Sequence, residues 1–448
     1  MSEQPIEQLR RIRMQKLEGL RKAGINPYPA HVEPVIAIDA ARKSEGKSAA
    51  VAGRMIAVRT QGKISFADVR DESGKIQLFL SDEKLGKSYQ QFVDLFDIGD
   101  FVRAEGEVFT TKAGEISIRV EKLAMLAKTL LPLPAKWHGL KDVEGRYRQR
   151  YLDLIANPEV KEVFVARTKT INAIRKFLDE HKFLEVETPV LQPIPGGATA
   201  KPFITHHNAY DTDVYLRVAP ELYLKRLLAG GMDKVYEFAK SFRNEGVDAV
   251  HNPEFTNLEF YWAYASYDEL MDFTEDLIID VVKSVKGEAV LERDGKKITL
   301  KKPFRRISFD EATKGKDSDD AFKTFVKNEA GPVFVINSPV DLLPLAKSKD
   351  EKTAESFQLV VGGFELVKAF SELNDPIEQR KRFEEQEKLR AKGDEEAQRL
   401  DEDFLTALEH GMPPAGGWGL GLDRFILLIT GKHAIREIML FPFMKPRS

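Results

Sequence analysis

Three stretches in the second half of the chain concentrate residues that bind phosphate, stack on a purine or hold a cation. The first is Phe242-Arg243-Asn244-Glu245, followed by His251-Asn252-Pro253-Glu254-Phe255-Thr256-Asn257-Leu258-Glu259-Phe260-Tyr261. A guanidinium presents phosphate oxygens with a rigid fork of donors and keeps its charge at any working pH. An arginine, a histidine and an aromatic ring on adjoining strands would therefore clamp phosphates and stack a purine. Taken singly, these residues fit a solvent-facing hairpin with ordinary charge pairs better. The whole string is far less common.

The second stretch is Gly416-Gly417-Trp418-Gly419-Leu420-Gly421-Leu422-Asp423-Arg424-Phe425, a glycine-rich strand leading into a helix. Glycine lets main chain approach a ligand closely, and Arg424 sits within reach of a phosphate. No acidic residue follows in a β-α-β unit, so this is not the dinucleotide-binding fingerprint. The third is Gly363-Phe364-Glu365-Leu366-Val367-Lys368-Ala369-Phe370-Ser371-Glu372. Alternation places Phe364 and Glu365 on opposite faces of a strand. Its carboxylates suit magnesium or an amine, although alone the segment reads as an edge strand with exposed acids.

These residues need a frame. At 448 residues the chain calls for two or three domains. With 42% apolar and 31% charged residues it reads as soluble and globular. It has no run of about 18 apolar residues and no charged-then-apolar leader at Met1, which argues against a membrane and for the cytosol. Without cysteine there are no disulfides or thiolate metal sites. The net charge of −3 is compatible with nucleic-acid binding where basic residues cluster. They cluster at Arg10, Arg11, Arg13, Lys16, Arg21 and Lys22, interleaved with Ile6, Leu9, Ile12, Leu17 and Leu20. That pattern predicts an amphipathic helix with a basic outer face within a region 1–45.

Residues 46–128 show short alternating segments, Ile64–Asp71, Ile76–Leu80, Phe101–Val108 and Ile116–Val120, with turns at Gly74 and Gly114 and a helical stretch near Ser88–Phe96. Such strands suggest a small β-barrel, the oligonucleotide-binding (OB) type among others. Leu131-Pro132-Leu133-Pro134 and Trp137-His138-Gly139 read as a linker over 129–150. From 151 to 448 the pattern changes to long helices and apolar strands. Phe164, Ile171, Ile174 and Leu178 fall at helical spacing ahead of Phe183-Leu184-Glu185-Val186-Glu187-Thr188-Pro189, a strand ending at proline. A less regular segment around 268–356 carries a helix near Asp268–Lys286 and a hairpin at Asp294-Gly295. The charged run Ile377–Leu408 reads as a solvated helical face.

Taken together and in order, the three stretches resemble the motifs of class II aminoacyl-tRNA synthetases. Motif one is the helix through Pro189, motif two Phe242–Tyr261 and motif three Gly419–Phe425. Within that class, Phe-Arg-Asn-Glu, His-Asn-Pro-Glu-Phe-Thr and Phe-Ser-Glu-Leu-Asn are similar to the lysine-charging enzymes. So are Ile194-Pro195-Gly196-Gly197-Ala198 and Ala219-Pro220-Glu221-Leu222-Tyr223-Leu224-Lys225. The likeness runs from Gly24-Ile25-Asn26-Pro27-Tyr28-Pro29 to Phe441-Pro442.

This resemblance implies an α+β chain: an N-terminal OB-fold barrel that binds the anticodon, then a catalytic domain of antiparallel sheet flanked by helices. It implies an ATP-dependent ligase that forms lysyl-adenylate with Mg2+ and passes lysine to the terminal ribose of tRNA(Lys). A homodimer would form through motif one. Arg243 and Arg424 would be catalytic, and Arg243, Glu245, His251, Asn252, Phe255 and Arg424 would bind ATP. Phe255 would stack on adenine with Arg424 over its other face. Gly197 and Glu221 would meet the α-amino group of lysine. Glu372 would meet its ε-ammonium, supported by Glu259 and Tyr261 and lined by Phe370; buried carboxylates reject neutral analogues. Glu365 and Gln358 stand at the metal positions. In the barrel, Arg59, Phe66, Gln77 and Glu115 would read the anticodon by stacking and edge bonding.

Two departures from the family stand out. Gln358 replaces the usual metal-binding glutamate, and Lys368 stands where asparagine is usual, close to the ammonium pocket. The segment 268–356 also looks shorter than in the family. These departures keep open a paralogue that binds RNA or nucleotide without charging it, or a class II enzyme for another amino acid such as asparagine.

Overall fold

The computed structural model describes residues 3–134, 142–316 and 318–446. The chain divides into two compact units, Met1–Lys141 and Asp142–Ser448. Trp137, His138 and Gly139 of the sequence-derived linker lie outside the described residues.

In the first unit, helix α1 (Glu3–Lys22) precedes β1 (Ser48–Gln61), β2 (Ile64–Arg70) and β3 (Lys75–Ser81). Helix α2 (Lys87–Leu95), β4 (Phe101–Thr110) and β5 (Ile116–Ala127) complete it. The strands close a barrel in the order β1-β2-β3-β5-β4, the architecture the alternating segments predict. Val51, Val69, Ile76, Leu78, Val102, Ile118 and Val120 point inward at period two and are fully buried. The outer face of α1 is less free than its sequence suggests. Leu17 and Leu20 are buried, whereas Ile6, Leu9 and Ile12 are exposed, because only the later turns reach the barrel. Arg13 is buried and donates to Thr129 Oγ1 (2.7 Å), Leu131 O (2.9 Å) and Ile98 O (3.0 Å). Lys16 pairs with Asp97. Arg10, Arg11, Arg21 and Lys22 remain exposed.

The second unit is built on an eight-stranded sheet. Its strands are β6 (Leu184–Glu185), β7 (Lys234–Phe242), β8 (Glu254–Ala263), β9 (Arg305–Ser308), β10 (Val333–Ile336), β11 (Ser356–Val361), β12 (Phe364–Ser371) and β13 (Ala415–Leu420). The spatial order is β9-β10-β11-β12-β13-β8-β7-β6. Pairing is antiparallel throughout the middle and parallel only at the two edge pairs. Helices α3 (Val160–Glu180), α5 (Tyr267–Lys286) and α8 (Leu422–Thr430) cover one face; α4 (Glu221–Ala229), α6 (Pro376–Ala391) and α7 (Glu402–Glu409) pack elsewhere on the unit. Trp418 anchors the covered face, stacked 4.7 Å from Phe260 with its indole N–H on Thr274 (2.8 Å). Such an aromatic pair adds about 1 kcal/mol beyond its buried area.

Three expectations change. The segment around 268–356, irregular in sequence, joins the core: α5 buries Leu270, Leu277, Ile278, Val281 and Val282, and β9 and β10 extend the sheet. The run 377–408 is not a purely solvated face, because Gln379, Arg382, Phe383, Phe404, Leu405 and Leu408 are buried among its charges. Residues 143–150, read as linker, form helical turns of the second unit. Arg150 there is 1% exposed and donates to the main-chain oxygens of Arg436, Met439 and Leu440.

Candidate active site

The uncovered face of the sheet holds a cleft of about 440 Å³, within the range of small-molecule sites (roughly 300–1,000 Å³). Strand alternation loads it. On β8, Leu258 and Phe260 enter the core, while Phe255, Asn257, Glu259 and Tyr261 line the cleft. On β13, Trp418 and Leu420 face the core, and Gly417 and Gly419 face the cleft. On β12, Lys368 and Phe370 line it. The register aligns Glu259, Gly419 and Lys368 in one row, and Tyr261, Gly417 and Phe370 in the next. With glycine in the middle of each row, a trough runs between two walls of side chains. Adjacent strands lie about 4.8 Å apart, so the walls stand roughly 10 Å from each other at the backbone.

One end of the trough is cationic. Arg243 lies 5.1 Å from the Phe255 ring centroid, and its Nε is buried without a hydrogen-bond partner. Burial pulls its pKa below the usual guanidinium value. Arg424 donates to Glu365 O (3.2 Å), and its Nη2 lies 3.2 Å from His251 Nε2. The other ring nitrogen of His251 is 2.8 Å from Asp248 Oδ2. Nδ1–H therefore donates to the carboxylate, which leaves the Nε2 lone pair for the guanidinium. Asn252 Nδ2 donates to Glu254 O, and its buried Oδ1 lacks a partner. Glu245 and Glu365 also line this end.

The other end is acidic and buried. Glu221, Glu259 and Glu372 are 7%, 8% and 1% exposed. Asn257 Nδ2 (2.6 Å) and Tyr261 O–H (3.2 Å) donate to Glu259. Burial, with Glu221 and Glu237 adding to it, pushes Glu259 up to about 8 against the Tyr261 hydrogen bond. Gly197, at φ +87°, passes so close to Glu221 that a Cβ would come within 2.9 Å of the Glu221 Cβ. The Glu372 carboxylate forms an ion pair with Lys225, and its Oε1 stands on the cleft side of Gly417, where a Cβ of that residue would point.

Gln358 stands on β11, next to the Lys368 position of β12. It does not line the cleft, and its Oε1 accepts from Ser338 Oγ (3.0 Å). Among the described residues no group of three or more His, Asp or Glu has metal-site geometry. Magnesium usually takes one or two carboxylates together with substrate phosphates. Glu365 beside the cationic end suits an ion carried in on phosphates; Gln358, its Oε1 accepting from Ser338, lies apart from that end. Lys368 faces the cleft, exposed.

In the barrel, Arg59, Phe66, Phe79 and Arg119 share one transverse row, and Gln77 pairs with Ser117 in the next. Phe66 stands outside the core cluster, 5.4 Å from Phe79, which in turn lies 6.1 Å from Phe109. Ser117 Oγ donates to Gln77 Oε1 (3.1 Å). Glu115 is half-buried at the start of this surface. Phe79, Phe109 and Arg119 escaped the sequence reading because alternation alone does not say which face of a barrel strand meets a ligand.

Several positioning residues were also missed. Asp423 accepts from Arg167 (2.7 Å) and from the Thr256 N–H (2.9 Å), tying α8 to β8 beneath Arg424. Asp248 orients His251. Asp423 and Lys225 stood inside strings already singled out; nothing in the sequence marked Asp248.

Residues 142–445 match the family described as tRNA synthetases class II (D, K and N), and residues 49–126 match the OB-fold nucleic acid binding domain. Among curated proteins, the chain is 47% identical to a lysine–tRNA ligase of Syntrophomonas wolfei, covering 100% of this chain and 99% of the relative. It is 47% identical to one of Moorella thermoacetica, covering 98% of each, and 44% identical to one of Clostridium perfringens, covering 100% and 98%. A catalytic unit with these motifs behind an OB-fold barrel, matched along its whole length by such relatives, belongs to the class II aminoacyl-tRNA synthetases, in the lysine–tRNA ligase family.

Proposed function

We propose that this chain activates lysine with ATP and transfers it to tRNA(Lys). The observation that carries this reading is the polarity of the trough: three buried carboxylates, Glu221, Glu259 and Glu372, at one end and Arg243 with Arg424 at the other. A diamine with a carboxylate at one end matches that polarity. An asparagine side chain would leave the buried Glu372 Oε1 without a partner, at a cost of about 1–3 kcal/mol.

In the reaction, a lysine carboxylate oxygen attacks the α-phosphorus of ATP, the bond to the β-phosphate oxygen breaks, and pyrophosphate leaves. A terminal ribose hydroxyl of tRNA then attacks the carbonyl carbon, and AMP departs. No protein nucleophile is needed. Arg243 steadies the charge that builds on the α-phosphate, and Arg424, oriented by His251 and Glu365 O, holds the far phosphates. Phe255 offers the purine a ring face, with Glu245 and Asn252 at the nucleotide edge. Gly197 and Glu221 receive the α-ammonium, while Glu372, with Glu259, Tyr261 and Phe370 around it, reads the side chain. Magnesium bound with ATP at Glu365 would add further charge neutralisation.

The barrel row of Arg59, Phe66 and Phe79, with Gln77 and Glu115 beside it, suits single-stranded anticodon bases. Dimer formation through motif one is supported by exposed apolar residues around it, Leu184 (54%), Leu191 (50%) and Ile204 (61%). No described helix is long and apolar enough to cross a membrane; a tRNA substrate fits a cytoplasmic enzyme. ATP–pyrophosphate exchange with each standard amino acid, run without tRNA, tests the reading. Exchange with lysine alone is expected; exchange with a different amino acid, or with none, overturns it.

A further inference from the structure

Lys225 is fully buried at the acidic end of the trough. Its ammonium lies 2.8 Å from Glu221 Oε1, forms an ion pair with Glu372 Oε2 and donates to Leu345 O at 3.4 Å. It also sits 5.7 Å from the centre of the Phe370 ring. The other oxygen of Glu372, Oε1, is buried with neither an ion-pair nor a hydrogen-bond partner, whereas Glu372 Oε2 and Glu221 Oε1 are held by Lys225 as ion pairs without hydrogen-bond geometry. Glu372 Oε1 lies at the cleft floor, 1.7 Å from where a Cβ on Gly417 would stand. One ammonium therefore ties together helix α4, the end of β12 and the loop at Leu345, and leaves one acceptor bare.

We propose that Lys225 is a specificity-determining positioning residue: it clamps the Glu221 and Glu372 carboxylates so that Glu372 Oε1 is left to receive the side-chain ammonium of the substrate. The proposal rests on the lysine reading above. A buried ion cluster is a poor device for stability alone, since apolar residues of similar volume serve as well or better. A pocket that must bind a cation has a different need. The carboxylate that receives the cation has to be fixed, and its ionised form favoured, before the substrate arrives.

The charged and titratable groups facing Glu372 are Lys225 and Glu221 of α4 and Glu259 and Tyr261 of β8. Burial drives Glu372 well above the usual carboxylate range, Lys225 opposes this, and Glu221 and Glu259 add to it. Lys225 itself is held above its ordinary value: burial works against its charge, and Glu221 and Glu372 outweigh burial. Without Lys225 nothing in this set opposes protonation of Glu372, and a protonated acid no longer selects an ammonium.

The test uses the full chain with Lys225→Met, Lys225→Arg, Glu372→Gln and the Met/Gln double variant. Lysine binding is measured by calorimetry between pH 6.5 and 9, with lysine-dependent exchange and thermal melting alongside. Lys225→Met should weaken lysine binding at least ~30-fold near pH 7, a loss of the size expected when a buried polar group loses its partner. The loss should shrink as pH rises, and the ATP KM should stay within about two-fold. In the Glu372→Gln background, Lys225→Met should add less than about two-fold. Lys225→Arg keeps the cation and should keep the wild-type pH profile, a comparison that stands even if the Met variant fails to fold. Lysine affinity unchanged in a folded Lys225→Met chain, an equal loss in both backgrounds, or an altered pH profile in Lys225→Arg overturns the proposal. If the wild-type chain shows no lysine-dependent exchange, the functional reading fails first.

Discussion

Glu259 couples the empty pocket to pH. Its carboxyl is pushed up to about 8 by burial and by Glu221 and Glu237, so in the ligand-free chain it keeps its proton at neutral pH. The unfolded chain releases that proton near the ordinary glutamate value, about 4.3. Between those limits the native state binds more protons than the unfolded state, and unfolding free energy falls as pH rises. The ligand-free chain should therefore lose on the order of a few kcal/mol from this group between pH 5 and 8. Glu259→Gln should flatten that slope in denaturant titrations, and an unchanged slope would remove Glu259 as its source. Lysine binding should release protons near pH 7, because an ammonium favours the ionised acid.

Lys368 invites the opposite concern, that a second cation repels the substrate. It lies four residues from Glu372 along the chain, about 13 Å at 3.3 Å per residue, and it is exposed. Repulsion over that distance in solvent is largely screened. Its place in the row with Gly419 and Glu259, in the cleft that also holds Arg243 and Arg424, suits phosphate better. Lys368→Asn should raise the ATP KM about 3- to 10-fold, more at low salt, and move the lysine KM less than about three-fold. A large fall in lysine KM instead would show that Lys368 does oppose the substrate.

At the scale of elements, the trough exists because β13 carries glycine where its neighbours carry side chains. The two cleft-facing glycines are not equivalent. A Cβ on Gly417 would stand 1.7 Å from Glu372 Oε1, an oxygen of a buried carboxylate held through its Oε2 by Lys225, whereas one on Gly419 meets nothing nearer than Glu259 Cγ at 3.6 Å. Gly417→Ala should cost about 1–3 kcal/mol in denaturant unfolding by overpacking, and Gly419→Ala less than about 1 kcal/mol; equal costs would contradict the geometry. The string Gly416–Phe425 announced this strand, its close approach and Arg424, because glycine and alternation are local signals. It did not announce which glycine guards Glu372, nor that Lys225 is its partner, since those contacts join residues far apart in the chain. For the same reason β9 and β10 were hidden inside the less regular segment around 268–356. Short apolar runs such as Val333–Ile336 show their role only when the sheet is assembled.

At the scale of the whole molecule, the two units have separate cores and separate work. The barrel core runs from Leu20 to Met125, and every residue lining the cleft falls between Gly197 and Ile435. The barrel unit is closed by contacts of its own. Lys128, buried, pairs with Asp97 and Asp100, and Arg13 of α1 caps the same corner. On the proposed reading, adenylate formation draws on the cleft and RNA selection on the outer face of the barrel. A chain of residues 142–448 should therefore catalyse lysine-dependent ATP–pyrophosphate exchange within about three-fold of the full-length rate. Its charging of tRNA should fall by about 100-fold or more, the equivalent of ~2.7 kcal/mol of lost recognition. Arg59→Ala with Phe66→Ala in the full chain should reproduce part of the second loss and none of the first, because base stacking is worth about 1–3 kcal/mol per ring. Loss of exchange in the truncated chain would mean that the barrel contributes to the chemistry and not only to the choice of RNA.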